Sequence, residues 1–437
     1  MRTAAREAFP QYQNRSGWNA LLPPREARDR LPSSRGFASV VIGAGYTGLA
    51  AARRLAELEP DREVLVVDSS ELGEGSAGRN SGFLSCSPNE PRANRHGTVD
   101  EAAARQIRIY KAGLDWLRSL VETHRIDCGW DESAPRLHAA ATPGGERRVR
   151  AACSRNRRWG LECAEFDRSE LTRMIGTDYY RYGYRPESTA YVQPAALVRG
   201  LGDSLPAAVR LLERTPVLKV DGQGPFTIVT SRGDFKADRV LIANNVHARA
   251  LGLLRDRMIA IYTYAALTPE LDPSELARLG ELPQWGVIPG HRMGTTLRKF
   301  QSTRFLVRSG DSYEREMPTA RVREMLTELY RRRYPQMASH AFEHVWGGVT
   351  AITHNGGLYF GQVRPGLYAA AGCNGSGVVR GTIQGKLLAE MACGSQSALL
   401  SDRLALEGPN WLPPEPFRSI GVMSSIALEQ FQAGLER

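Results

Sequence analysis

The sequence predicts an α/β fold: a discontinuous nucleotide-binding domain interleaved with a second domain of antiparallel β-sheet plus helices. Three observations predict it. Near the start, the apolar run Val40-Val41-Ile42 enters a Gly43-x-Gly45-x-x-Gly48 turn, after which Leu49, Ala50, Leu55 and Leu58 recur at helical spacing and a second run, Val64 to Val67, ends in Asp68. Near the other end, Leu367 to Ala371 enters a second glycine-rich turn, Gly372 to Gly377, that leads into a helix. Between the two, residues 258 to 310 carry the alternation of strands with one buried face.

The first stretch reads as strand, tight turn, helix and second strand. Gly43 takes the backbone angles of the tight turn, Gly45 leaves no side chain between backbone and a pyrophosphate, and Gly48 lets helix and strand pack closely. The amides of Tyr46 and Thr47 open the helix and face a phosphate, with the helix dipole adding favourable charge. Asp68 stands 20 positions after Gly48, the spacing at which a carboxylate accepts the hydroxyls of an adenosine ribose. Ser69 beside it joins the cofactor-binding set.

A second small-residue stretch follows at once: Gly73-Glu74-Gly75-Ser76-Ala77-Gly78-Arg79-Asn80-Ser81-Gly82. An NAD enzyme has no need of it, whereas a flavin needs backbone close along its pyrophosphate and ring, so the stretch points to FAD. It resembles the D-amino-acid-oxidase superfamily of FAD enzymes, in which a Gly-x-x-Ser-x-x-Asn-x-Gly-like stretch follows the acid of a Rossmann-type FAD-binding domain. Within that superfamily it looks most like the gamma-glutamylputrescine oxidoreductase branch. The resemblance implies that Gly75, Ser76, Arg79, Asn80, Ser81 and Gly82 lie along the flavin; for Asn80 the plainer alternative is a cap on a backbone turn.

At 437 residues with 42% hydrophobic content, the chain has room for two domains and a substantial core. It has no run of eighteen apolar residues, so no transmembrane segment is expected, and Met1-Arg2-Thr3-Ala4 opens without the apolar stretch of a signal peptide. A cytoplasmic chain is the expectation. Its six cysteines include no Cys-x-x-Cys pair, which indicates neither a disulfide framework nor a zinc site. The net charge of +10 concentrates at Arg147, Arg148, Arg150, Arg155, Arg157 and Arg158 and at Arg331 to Arg333. No nucleic-acid-binding motif accompanies them, so they read as solvated helix faces, with steering of an anionic substrate or partner as the other reading.

In chain order, residues 1–36 form a polar N-terminal extension whose Trp18, Leu21, Leu22 and Leu31 are able to lie against the body or a partner subunit. The FAD-binding domain is expected at 37–90, 189–250 and 343–400, the substrate domain at 91–188 and 251–342, and a C-terminal segment at 401–437. Thr98 followed by Glu101 is a capping box that opens a long amphipathic helix to about His124, and an arginine-rich helix follows near 144 to 158. Pro194 opens a helix to 204, then strands read from Pro216 to Val220, Phe226 to Ser231 and Phe235 to Ala243. The resemblance places the strand at Val217 beside the adenine and the strand end at Asn244 beside the pyrophosphate. Residues 318 to 333 form a further helix.

The closing turn, Gly372-Cys373-Asn374-Gly375-Ser376-Gly377-Val378, precedes a helix expected from about Thr382 to Cys393. The superfamily places this turn under the flavin pyrimidine, where a helix N-terminus favours the charge of reduced flavin. Only one full Gly-x-Gly-x-x-Gly unit with its acid is present, so no second nucleotide fold serves NAD(P)H. An organic substrate is therefore expected to reduce the flavin by hydride transfer to N5, with reoxidation by O2 or an electron carrier. Noncovalent FAD and a plain thiol at Cys373 are favoured, in a monomer or homodimer.

The resemblance also sets out departures. Relatives acting on small α-amino acids follow their Trp-x-Gly element with Leu-Arg-Pro, whose arginine clamps the substrate carboxylate. After Trp346-Gly347-Gly348-Val349 this chain has Thr350 at that place, and a second arginine of glycine-oxidising relatives falls on Gly375. The lysine that N-methylamino-acid oxidases carry falls near Val379, one position from Arg380. The substrate is then a larger or acylated amine anchored otherwise, with Arg298, Arg308, His354 and Arg380 as the candidate catalytic residues. Trp285 and Tyr264 either wall the pocket or pack the core. The expected activity is FAD-dependent oxidation of a C–N bond; the alternative is a flavin-bearing subunit or tailoring oxidoreductase that needs a partner protein.

Overall fold

The computed structural model describes residues 9–89, 91–300 and 303–437. Its first sheet grows from Gly36–Ile42, flanked in parallel by Val64–Val67 and Gly233–Ile242. Val209–Leu212 extends it in parallel on one side and Leu367–Ala371 on the other, where Tyr359–Arg364 closes the edge antiparallel. Phe226–Thr230 and Val217–Asp221 branch from Gly233–Ile242 as an antiparallel pair. The central strands are covered on both faces, which is why Val40, Val41, Leu65 and Val66 read as continuous apolar runs rather than alternating ones.

Two helices lie together on one face of this sheet, Tyr46–Leu58 and Gly377–Ala392. Their approach depends on small residues: a Cβ at Gly385 would stand 2.0 Å from the Thr47 carbonyl oxygen. The glycine turns from the two ends of the chain are thereby brought side by side.

The second sheet runs in the order His344–Ile352, Ile259–Leu267, Arg304–Tyr313, Thr296–Phe300, Trp285–Pro289, Arg136–Ala140, Tyr182–Pro186 and Cys163–Asp167. Its pairs are antiparallel except Trp285–Pro289 with Arg136–Ala140. Helix Thr319–Arg333 packs Leu326, Leu329 and Tyr330 with Trp285 and Phe305 in a separate core. The α/β architecture with an interleaved antiparallel domain is as expected.

Three expected placements need correction. Helix Val99–Thr123 has the predicted capping box, but it does not belong with the second sheet. Its Ile109, Tyr110, Leu114 and Leu117 share a core with Leu49, Leu55 and Leu387, because the second face of the closing helix is apolar too. Strand His344–Ile352, expected in the FAD-binding part, pairs along its whole length with Ile259–Leu267 in the second sheet. The closing helix starts at Gly377 rather than near Thr382, so Gly377 and Val378 lie in its first turn.

The N-terminal extension is tied down. Trp18 is fully buried, edge-on to Phe300 and Trp346, and donates its indole N–H to the Asn80 carbonyl at 2.7 Å. At the C-terminus, helix Phe417–Ala433 leans over the second sheet, and the buried Glu436 carboxylate accepts from Thr142 at the start of helix Pro143–Arg158. Among the described residues no helix is long and apolar enough to cross a membrane.

Candidate active site

Between the sheets lies a cleft of about 1570 Å³. Pockets for a single small ligand span roughly 300–1,000 Å³, so this one has room for a dinucleotide and a substrate together. Gly43, Gly45, Tyr46, Thr47, Asp68, Ser69, Gly75, Ser76, Arg79, Asn80 and Ser81 line it from the first half of the chain. Val217, Asn244, Asn374, Gly375, Ser376, Gly377 and Val378 line it from the second. Tertiary structure thus brings nearly all the expected cofactor residues to one cleft.

The local geometry suits a pyrophosphate. Gly43 has φ +105°, and a Cβ at Gly48 would stand 1.7 Å from the Gly43 carbonyl oxygen, so neither position accepts a side chain. Gly48 therefore acts through packing, beneath the cleft rather than in its lining. Neither helix that starts at the cleft, Tyr46–Leu58 or Gly377–Ala392, is capped by a side chain. Their first amides remain available to an anion. Asn244 adds a buried Oδ1 with no hydrogen-bond partner.

Asp68 ends its strand beside the turn it serves. Its carboxylate accepts from the Ala44 amide at 2.7 Å and the Ser70 amide at 2.8 Å, which leaves half its lone-pair positions. Burial pushes its carboxyl up to about 6 despite these bonds. Glu213, wholly buried nearby, raises it further and is itself held by both oxygens on Arg25 of the extension.

The second glycine stretch is clamped from behind. Arg79 is buried and donates to the carbonyls of Gly347, Asn14 and Glu74, with its guanidinium 3.7 Å from the Tyr12 ring centre. Ser76 donates to the Val349 carbonyl and contacts the Tyr12 hydroxyl. Asn80 spans its own turn, from the Ala77 carbonyl to the Gly82 amide, as the plainer alternative had it. Asn374 likewise spends its side chain on Thr353, Gly356 and Gly372. These side chains hold loops, and the backbone they hold faces the cleft.

Arg298 is a correction. It is 1% exposed, does not line the cleft, and donates to the carbonyls of Ser81 and Val192 at 2.9 and 2.8 Å. Its strand, Thr296–Phe300, is buried at every position, so alternation gives no sign of which face meets substrate. Gly82 and Gly372 also lie behind the lining: a Cβ at Gly82 would meet the Val192 carbonyl oxygen at 2.2 Å, and the Gly372 amide is bound by Asn245. Trp285 is core. Tyr264 is buried and held by Ser312 and the Met317 amide, with one edge at the cleft.

Arg308, His354 and Arg380 do reach the cleft. Asp311 joins Arg308 there, its carboxyl raised by burial and eased downward by Arg308. Sequence reasoning missed Asp311 and also Arg136 and His138, which alternate onto one face of a strand too short and too near a helix to be read as one. It missed Leu412, Phe417, Val422 and Ile426 of the C-terminal segment as well, whose apolar side chains line the cleft from outside both expected domains.

A doubly covered parallel sheet with a glycine turn at each end of the chain, under an antiparallel sheet that closes a large cleft, defines a dinucleotide-binding oxidoreductase. The profile described as FAD dependent oxidoreductase (DAO) matches residues 39–391, and the chain belongs to that family. It is 27% identical over 392 residues to a probable oxidoreductase OrdL of Rhizobium meliloti, covering 88% of this chain and 89% of that one. It is 25% identical over 360 residues to gamma-glutamylputrescine oxidoreductase of Escherichia coli, covering 81% and 83%. Among solved structures, glycine oxidase from Geobacillus kaustophilus superposes with a TM-score of 0.70 at 18% identity, covering 84% of this chain and 96% of that one. L-proline dehydrogenase from P. horikoshii superposes at 0.66 and 16%, covering 84% and 96%. These two share the fold.

Proposed function

We propose that the protein oxidises a C–N bond of an amine or amino-acid-like metabolite with noncovalently bound FAD. The observation that carries the reading is the convergence of both glycine turns on one cleft that Arg308, Asp311 and His354 also line. The turns and Asp68 would hold the dinucleotide, and the orphaned Asn244 Oδ1 offers it an acceptor. When bound, FAD supplies the two-electron acceptor that no side chain provides. Asp311 attracts a substrate ammonium, and its carboxylate oxygen takes the proton whose loss frees the nitrogen lone pair. Thr350 and Gly375 offer no guanidinium for a small α-amino acid, which favours a larger amine. The apolar helix Phe417–Ala433 screens the cleft from water. The imine product hydrolyses to a carbonyl compound and an amine or ammonia, and O2 or an electron carrier accepts the electrons.

A second reading, a flavin-bearing subunit that works with a partner, is favoured by one feature. Ile420, Met423 and Phe431 of the same helix are 57%, 54% and 86% exposed, an exposed apolar face.

An anaerobic titration of the purified protein with amines, polyamines, acylated polyamines and N-alkyl amino acids separates the two. Loss of the flavin's visible absorbance with one of them is expected, and rapid recovery in air with peroxide identifies an oxidase, slow recovery a dehydrogenase. Bound flavin that no amine reduces replaces the first reading with the second; no flavin at all overturns both.

A further inference from the structure

We propose that the outward face of helix Phe417–Ala433 is an interface through which two copies of this chain pair, antiparallel, about a two-fold axis at Ser424. The surface of the helix carries this independently of the proposed function.

The helix has two unlike faces. Val422 and Ile426 pack with Ile259, Ile261 and Leu412, Glu429 pairs with Arg292 at 2.8 Å, and Ala433 is fully buried, so positions 422, 426, 429 and 433 turn inward. The other side is apolar and meets solvent: Phe417, Ile420, Leu428 and Phe431 are exposed, and Leu435 continues the line past the helix end. Among the described residues, six of the ten exposed large apolar side chains lie between Phe417 and Leu435, which makes a patch rather than a scatter. No exposed position of the helix is charged. Its Arg418 and Glu429 are half-buried, and Arg418 donates to the carbonyls of Pro413 and Arg255.

The outward residues read the same way in both directions. Counting from Ser424, Gly421 and Ala427 stand three positions away, Ile420 and Leu428 four, and Phe417 and Phe431 seven. Offsets of three, four and seven share one helix face. Two such helices laid antiparallel therefore set small residues against small ones at the centre, aliphatic against aliphatic beyond them, and ring against ring at the ends. Glycine inside a helix is destabilising, and a Cβ at Gly421 would meet nothing beyond its own helix within 4 Å. Packing within the chain does not call for glycine there, whereas the close approach of a second helix does.

A second copy fits this face better than a bilayer does. A helix that lies on a membrane carries lysine and arginine along its solvent side, whereas the one cation of this helix is turned under it. The net charge of +10 makes copies of the chain repel, and an uncharged face lets two of them meet without opposing like charges. Its 17 residues make a helix about 25 Å long and about 10 Å across, which offers less than the roughly 800 Å² per partner of a standard interface. The dimer is accordingly reversible, with a dissociation constant in the micromolar range. Phe417 also edges the cleft, so Phe431 of the other copy packs on it there and adds to the wall of the entrance.

Sedimentation velocity of the flavin-loaded full chain between about 1 and 100 μM tests this. The mass is expected to pass from one chain to two across that range. Phe431→Glu and Ile420→Glu, each present twice in a two-fold interface, should each raise the dissociation constant about 100-fold or more, with flavin content and unfolding temperature unchanged. Ser424→Cys should cross-link two copies on mild oxidation with diamide, while Gln432→Cys, about 24 Å from its counterpart in this pairing, should not. A single chain at every concentration overturns the proposal, and so does a dimer that neither glutamate substitution weakens. Equal cross-linking of the two cysteine variants overturns the antiparallel pairing. A single chain that floats with phosphatidylglycerol vesicles, and no longer does so as Phe431→Glu, replaces the second copy with a membrane surface. Flavin reduced by amines in a protein that stays a single chain refutes the interface and leaves the function standing. A dimer that the glutamate substitutions dissolve, with no amine oxidised, refutes the function and leaves the interface standing.

Discussion

The hydroxyl of Thr350 accepts a hydrogen bond from the Gly375 amide at 3.1 Å and lies 3.2 Å from Cys373 Sγ. By the resemblance in sequence, Thr350 matches an arginine of relatives acting on small amino acids and Gly375 a second arginine of some glycine-oxidising ones. Here they bind each other and join the second sheet to the closing flavin turn. Thr350→Val leaves the Gly375 amide without its acceptor and should cost about 0.5–1.5 kcal/mol, read by denaturant unfolding of the holoprotein. Glycine at millimolar concentration should leave the flavin oxidised in both proteins, and its bleaching would show that small amino acids are anchored elsewhere.

Arg298→Gln should act on the flavin loop and not on substrate. Its guanidinium holds the carbonyls of Ser81 and Val192, so the variant should lose FAD more readily while KM for a productive amine stays within about twofold in whatever fraction remains loaded. Arg308→Gln should do the reverse, raising KM with flavin retained. A selective KM increase in the Arg298 variant alone would return it to the substrate site.

FAD affinity of the apoprotein should fall as pH drops below about 6. Burial raises the Asp68 carboxyl to about 6 in the folded apoprotein, so lowering pH protonates it there while ribose hydroxyls favour its charged form. One linked proton gives a loss approaching tenfold per pH unit, observable by fluorescence quenching on FAD addition. The same shift means that Asp68 opposes folding of the apoprotein as pH rises through that range, since its folded value lies above its unfolded one. Asp68→Asn should flatten both dependences.

Trp18→Ala should destabilise the protein by about 3–5 kcal/mol and loosen the segment from Glu74 to Asn80. The indole fills a fully buried site against Phe300 and Trp346 and its N–H holds the Asn80 carbonyl, so unfolding and flavin release should shift together. Stability lost without faster flavin release would separate the extension from the cofactor site.

Arg25→Ala strands the Glu213 carboxylate, which is fully buried and, among the described residues, otherwise receives only the amides of Arg28 and Leu72. A cost of about 3–5 kcal/mol is expected, with recovery in the Arg25→Ala, Glu213→Gln double variant. Thermal unfolding of the four proteins measures the coupling.

The sequence by itself determined the two glycine turns, the acid at Asp68, the capping box at Thr98 and the strands that flank the first turn. Each rests on local chemistry: a backbone conformation that only glycine adopts freely, a period of two or 3.6, a side chain three residues from the amide it binds. Together with the family resemblance, that was enough to expect Gly43, Gly45, Ser76, Asn244 and Gly375 at one site. What only tertiary structure decided was the direction of side chains on elements buried on both faces. Alternation does not distinguish Arg298, turned toward Ser81, from Arg308, turned toward the cleft, when Thr296–Phe300 has no exposed position to set the phase. The grip of Trp18 on Asn80 and the Thr350–Gly375 bond join residues far apart in sequence. Packing between two sheets brings them together, and no local period records it.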